Sequence, residues 1–336
     1  MQIDCRLSIK ILFLFQISDR MKKLIGVFIL VFLLNGCDDG DVTVDTINFD
    51  EVSAAKCSTK EIIYKVKENE VLLLNLTETE YNDLFLNKIG STQLTINTAD
   101  KIRYRFYNGT VTSASICDDL QPAAPTITEE WVATAATVIV TTTAVMSTPD
   151  TETGATRISK YNHNISFRNL VFSKPAGTQV YDIFSFGDYA IEFPLLPLTF
   201  DTNQVAICPS SNTIYNVVPS GSAAMFVLNL SPELLSTATP DIAISRPITS
   251  TTNNLRYNVF NTPITAAQIQ NYFCVDRTTP AASQQWIAES GTIEVTATSN
   301  AGRFRYTVRL KGVTFTRDGS SFYYGDDVLY GSFFSL

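Results

Sequence analysis

Short stretches in which apolar and polar residues alternate recur along most of the chain, the signature of half-buried β-strands. Ile62-Ile-Tyr-Lys-Val66 and Val71-Leu-Leu-Leu-Asn-Leu76 read as an early pair of strands. Lys101–Tyr107 alternates, with Ile102, Tyr104 and Phe106 on one face. Further on, Thr292–Thr298 alternates, Asn300-Ala-Gly302 supplies turn chemistry, and Phe304–Leu310 alternates back, which predicts a hairpin. Helical signals are few and short. Thr77-Glu-Thr-Glu80 and Thr265-Ala-Ala-Gln268 are capping boxes, and Ser231-Pro232-Glu233 places proline at a first helical position.

The second half of the pattern restates the first. Cys57 and Tyr64 stand seven residues apart, as do Cys208 and Tyr215, and Leu74-Asn-Leu-Thr77 matches Leu228-Asn-Leu-Ser231. Ile102-Arg-Tyr104 matches Leu255-Arg-Tyr257, Cys117 matches Cys274, and Trp131 and Trp286 fall at corresponding places. Ile165–Phe172 matches Val308–Phe315, and Phe186-Gly187-Asp188 is matched to Tyr324-Gly325-Asp326. So many ordered matches define a tandem duplication. The fold class expected is mainly β: two antiparallel β-sandwich or barrel-like domains with short helices. Copy 1 is expected over residues 51–193, a Pro-bearing linker over 194–203, and copy 2 over 204–336.

The start of the chain differs. Lys22 and Lys23 precede an apolar run, Leu24–Leu34, and small Gly36 precedes Cys37. This is the layout of a secretory signal over residues 21–36. The run of about 11 residues is too short to cross the roughly 30 Å hydrocarbon core as a helix. Residues 1–20 fit poorly before it and are read as a misassigned start, which would remove Cys5. Leu34-Asn-Gly-Cys37 resembles the lipobox of bacterial lipoproteins, with Asn35 a departure from the small residue usual there. The resemblance implies cleavage before Cys37, palmitate-type acylation of that cysteine, and anchorage to the outer membrane. Asp38-Asp39-Gly40-Asp41 resembles the export signal that routes some lipoproteins to the cell surface; a flexible acidic tether over residues 37–50 accounts for it equally. Surface exposure is favoured over a periplasm-facing position.

Charge and cysteines narrow the picture. The net charge is -8, and removing the five basic and two acidic groups of residues 1–36 leaves the rest at about -11. No cluster of Lys and Arg offers a phosphate-binding face, so no nucleic-acid partner is expected. With Cys5 and Cys37 set aside, four cysteines remain. If each copy folds independently, Cys57 pairs with Cys117 and Cys208 with Cys274, disulfides suited to an oxidising compartment.

Candidate chemistry is sparse. His163 is the one histidine, and the repeat puts Tyr306 in its place, so it reads as a strand residue. No metal or cofactor is expected. Glu129-Glu130 beside Trp131 is a carboxylate pair, but copy 2 has Gln284-Gln285 beside Trp286. Asp119 and Asp276, and Asp188 and Asp326, recur in both copies and read mainly as turn formers. Trp131 and Trp286 are expected in the core, with ligand stacking as the competing role. The reading favoured is a lipid-anchored, non-enzymatic binding, adhesion or scaffold module with a polysaccharide or envelope protein as partner. A carbohydrate-active hydrolase using carboxylates of one copy is the alternative.

Overall fold

The computed structural model describes residues 46–98 and 100–335. Cys5, Cys37, the signal segment and residues 37–45 of the tether lie outside the described residues. The described residues form two curled antiparallel sheets of eight strands each. Copy 1 holds β1 (Ala55–Lys56), β2 (Ile62–Lys67), β3 (Glu70–Asn75), β4 (Gly90–Ile96), β5 (Ile102–Tyr107), β6 (Ile127–Met146), β7 (Ile158–Lys174) and β8 (Gly177–Glu192). Copy 2 repeats them as β9 (Ala206–Ile207), β10 (Ile214–Val217), β11 (Ala223–Leu228), β12 (Ala243–Pro247), β13 (Asn254–Phe260), β14 (Ala282–Asn300), β15 (Arg303–Arg317) and β16 (Ser320–Phe334). Every neighbour relation in the first sheet recurs in the second eight strands later: the order is β1-β2-β3-β5-β6-β7-β8, with β4 also on β6. The duplication is therefore one of topology as well as sequence.

Local chemistry explains the strands. In β7 the buried positions Ile165 and Phe167 are two apart, then the phase jumps to Leu170 and Phe172. The jump sits at Asn169, with φ of 51°, and its counterpart in β15 is Gly312, with φ of 61°. Asn and Gly are the residues that tolerate this left-handed backbone at least cost. The predicted hairpin forms: Asn300 pairs with Arg303 across Ala301-Gly302. The Thr77 capping box is made, Thr77 N donating to Glu80 Oε2 at 2.7 Å, ahead of the helix Glu78–Leu84. Thr265 N likewise donates to Gln268 Oε1 at 3.0 Å ahead of the helix Ala266–Cys274. Pro232–Leu235 is a single 3₁₀ turn.

Both disulfides pair within a copy, Cys57–Cys117 and Cys208–Cys274. Each lies in a small apolar cluster, one including Val71, Leu73 and Ile116, the other Ala224, Phe226 and Phe273. The alternate residues of β11, Ala223, Met225 and Val227, face a larger core with Trp286, Leu310 and Phe315. Burial on both faces is why β3 and β11 read as unbroken apolar runs.

The two copies pack into one body, Asn48–Leu336. Ile158, Tyr161 and Phe193 of copy 1 belong to the core of copy 2. The 147–157 connection reaches across: Thr156 N donates to Tyr323 O at 2.9 Å and Asp326 N to Thr153 O at 2.8 Å. Arg157 places its guanidinium 5.3 Å from the Phe322 ring and 5.5 Å from that of Tyr324, and Nη1 donates to Tyr323 O at 2.8 Å.

Two sequence expectations need correction. Phe49 and Phe200, assigned to the tether and the linker, pack edge-on against Tyr104 and Tyr257 at 6.1 and 6.4 Å. Each copy thus takes in its own lead-in segment. The match of Gly187 to Gly325 is also displaced. Ile165 pairs with Gly187 at a register shift in β7–β8, and Val308 pairs with Gly331 at the same shift in β15–β16. The true counterpart of Phe186-Gly187-Asp188 is Tyr330-Gly331-Ser332; the last strand of copy 2 has one further register shift, at Val313/Thr314, and Tyr324-Gly325 sits there.

Candidate functional site

Most of the reactive groups singled out in the sequence serve the scaffold. Trp131 and Trp286 are each 1% exposed, leaving no ring face for a ligand, so the core role holds and the stacking role does not. Their indole N–H groups are satisfied alike: Trp131 Nε1 donates to Glu129 Oε1 at 2.6 Å, and Trp286 Nε1 to Gln284 Oε1 at 3.1 Å. Glu130 accepts from Arg103 Nη1 at 2.7 Å and Arg105 Nε at 2.5 Å. The two glutamates of the carboxylate pair thus point at different partners. Asp119 meets Lys60 at 2.9 Å, Asp276 accepts from Thr278 Oγ1 at 2.8 Å, and Asp326 from Tyr323 OH at 2.6 Å.

His163 is fully buried. Its Nδ1 lies 2.8 Å from Thr142 Oγ1, and the Phe85 ring stands edge-on at 5.3 Å. Desolvation pushes the imidazole down to about 4. It is a neutral core residue, as its counterpart Tyr306 suggests; that phenol reaches Leu235 O at 3.1 Å. Among the described residues no group of three or more His, Cys, Asp or Glu is placed to hold a metal ion.

One place sets the copies apart, and sequence reasoning passed over it. Lys65 on β2 is 4% exposed. Its Nζ donates to Phe49 O at 3.0 Å and lies 5.7 Å from the Phe186 ring. A Cβ on Gly187 would stand 2.6 Å from that nitrogen, so the glycine makes room for the ammonium. Burial pushes Lys65 below the usual lysine range, while Asp50 and Asp188 oppose the shift. Asp188 in turn accepts from Asn164 Nδ2 at 2.6 Å. Around these groups opens a cleft of about 310 Å³, bounded on one side by Asp50–Ser53 and on the other by Ser185–Asp188.

In copy 2 the counterpart of Lys65 is covered, and the opening lies to one side, a cavity of about 510 Å³ lined by Asn203, Val205, Arg305 and Ser332. Asn216 replaces Lys65, fully buried, with Nδ2 donating to Asp201 O at 2.9 Å and to Tyr330 O at 3.4 Å. Ser332 N, at the position of Asp188, donates to Thr202 O at 2.8 Å. Val205, where copy 1 has Ala54, brings Cγ2 to 2.5 Å from the position a Cβ on Gly331 would take. The lead-in segment of copy 2 is held by Asn216 and the main chain of Ser332; that of copy 1 is tied by Lys65 and by Lys67 Nζ to Asn48 O at 3.1 Å. Other cavities are less convergent. A cavity of about 480 Å³ in copy 2, beside Tyr215 and Ile264 near the disulfide helix, has Asp201 as its one charged residue.

Fold and cleft together define a class: a duplicated, disulfide-braced β protein with a lysine ammonium at the floor of a cleft in one copy. The chain matches no family model, no curated protein and no solved structure.

Proposed function

We propose that the chain is a lipid-anchored protein of the bacterial cell envelope, with a non-enzymatic binding role carried by its duplicated β domains. The observation that carries the binding role is the cleft at Lys65. Two copies share one topology and commit their indoles, the histidine and the Glu129-Glu130 pair to the scaffold, yet differ where one holds a buried ammonium in an open polar cavity. Pre-formed concavities with a few converging polar groups are the usual form of ligand sites.

The anchor rests on the segment Lys22–Cys37. Two disulfides support export, since such bridges persist in oxidising compartments. Each buried methylene contributes about 0.8 kcal/mol and one acyl chain holds only marginally, so the two or three chains of a mature lipoprotein would make attachment lasting. Among the described residues no helix is long and apolar enough to cross a membrane.

Two experiments test this reading. Mass spectrometry of the N-terminal peptide should find acylated Cys37, and Cys37→Ala should move the protein out of the membrane fraction. Protease added to intact cells, beside a periplasmic control, should digest the protein if Asp38–Asp41 directs it to the surface. Unmodified Cys37 would sink the anchor; protection until the outer membrane is opened would place the cleft on the periplasmic side.

A further inference from the structure

Resting on the binding reading above, we infer that the Lys65 cleft takes a neutral, polyhydroxylated ligand: a single sugar residue held at the floor by Lys65 and at the walls by Asp50, Asp188 and Asn164. The argument begins with charge. The cleft presents three carboxylates, of Asp50, Glu51 and Asp188, against the one ammonium of Lys65. A phosphate, a sulfate or an acidic peptide would face like charges on both walls. A simple cation would meet the buried ammonium at the floor. What satisfies both is a group that accepts and donates at once. A hydroxyl accepts from the Lys65 N–H bonds not used on Phe49 O and donates to a carboxylate. Ser53, Ser185 and Asn164 extend the same mixed lining.

Size and polarity agree. A cavity of about 310 Å³ sits at the lower end of the ligand-pocket range, room for a sugar ring rather than a folded chain. Phe186 borders the cleft but is fully buried, so the ligand is held by hydrogen bonds without an aromatic platform. Affinity should be modest. Copy 2, where the Lys65 position is covered, shows which differences expose it. Ala54 leaves out the side chain that Val205 inserts, Asp188 supplies a carboxylate where Ser332 has a hydroxyl, and Lys65 places an ammonium where Asn216 has an amide bonded to main chain.

The test borrows those residues. The full-length chain, purified in detergent, is titrated with methyl glycosides of common neutral hexoses, followed by saturation-transfer NMR and calorimetry. Lys65→Asn, Asp188→Ser and Ala54→Val are compared with the parent, and thermal melts establish that each folds. One glycoside should bind saturably to the parent, at least about tenfold more weakly to each variant, a loss of about 1.4 kcal/mol. Inorganic phosphate and glycine should not displace it. Three results would overturn the inference: no saturable binding at high millimolar glycoside, binding indifferent to all three substitutions, or displacement by phosphate or glycine. If the parent binds an envelope polymer equally with Ala54→Val, the cleft falls as the site while the binding reading survives.

Discussion

The main chain of Thr202 crosses Gly331 so closely that a Cβ there would stand 2.5 Å from the Thr202 carbonyl oxygen. The matching glycine of copy 1, Gly187, meets instead the end of a flexible side chain, Lys65. Both have positive φ, 138° and 102°, so alanine is strained at either. Gly331→Ala must also displace backbone, whereas Gly187→Ala can be relieved by moving an ammonium. We expect urea denaturation to show Gly331→Ala costing about 3 kcal/mol or more, and Gly187→Ala about half as much. Equal losses would mean that the segment over Gly331 yields freely.

The pH dependence of stability should carry the mark of His163. Its folded value, about 4, lies below the ordinary imidazole value of 6.5. Between those values the unfolded chain holds a proton that the folded chain refuses. Stability is thus full above pH 6.5 and falls as pH drops toward 4, by about 3 kcal/mol for a shift of this size. The double variant Thr142→Ala, His163→Tyr adopts the Ala297–Tyr306 pairing of copy 2. Urea titrations from pH 7 to 4 should show a shallower decline in that variant; an unchanged slope would remove His163 as a source.

Reduction should weaken both copies comparably. The bridges close loops with sequence separations of 60 and 66, each worth on the order of 4 kcal/mol in the chain-entropy account. Replacing Cys57 and Cys117 by alanine, or Cys208 and Cys274, should lower the melting temperature by similar amounts. Non-reducing peptide mapping that recovered Cys57 joined to Cys208 would contradict the structure outright.

Arg157 should decide whether the copies melt together. Its guanidinium lies over two rings of copy 2 and donates to that copy's main chain. Calorimetry should show one transition for the parent. For Arg157→Ala, which forfeits buried cation–π contact and a charge-assisted hydrogen bond, two transitions or a loss of about 2–4 kcal/mol is expected. A single transition at the parent temperature would mean that the apolar contacts of Ile158 and Tyr161 suffice.

Much of this fold is legible in the chain itself. Alternation found β5, β14 and β15, turn chemistry found Ala301-Gly302, and the duplication paired the cysteines. The last strand was legible only in part. Copy 2 carries both Tyr324-Gly325 and Tyr330-Gly331, and residue-by-residue matching cannot tell which doublet answers Phe186-Gly187; pairing across the bulges can. Lys65 was hidden for a different reason. Within Ile62–Val66 it looks like the polar member of an alternating strand, facing water. Its burial comes from Phe49 and neighbours laid over β2, a contact between segments that no local pattern announces. The tryptophans were the reverse case, their core role readable from repetition at matched places.

The 147–157 connection gives the duplication a direction. Copy 1 extends an arm between β6 and β7 that grips the outer strand of copy 2. Where copy 2 would need such an arm, it has the two-residue turn Ala301-Gly302. A head-to-tail contact of this kind builds rings or open filaments when repeated. Here it cannot propagate, because the unit that receives the arm has none to offer. The shortened turn acts as a terminator for a mode of assembly that the fold otherwise contains.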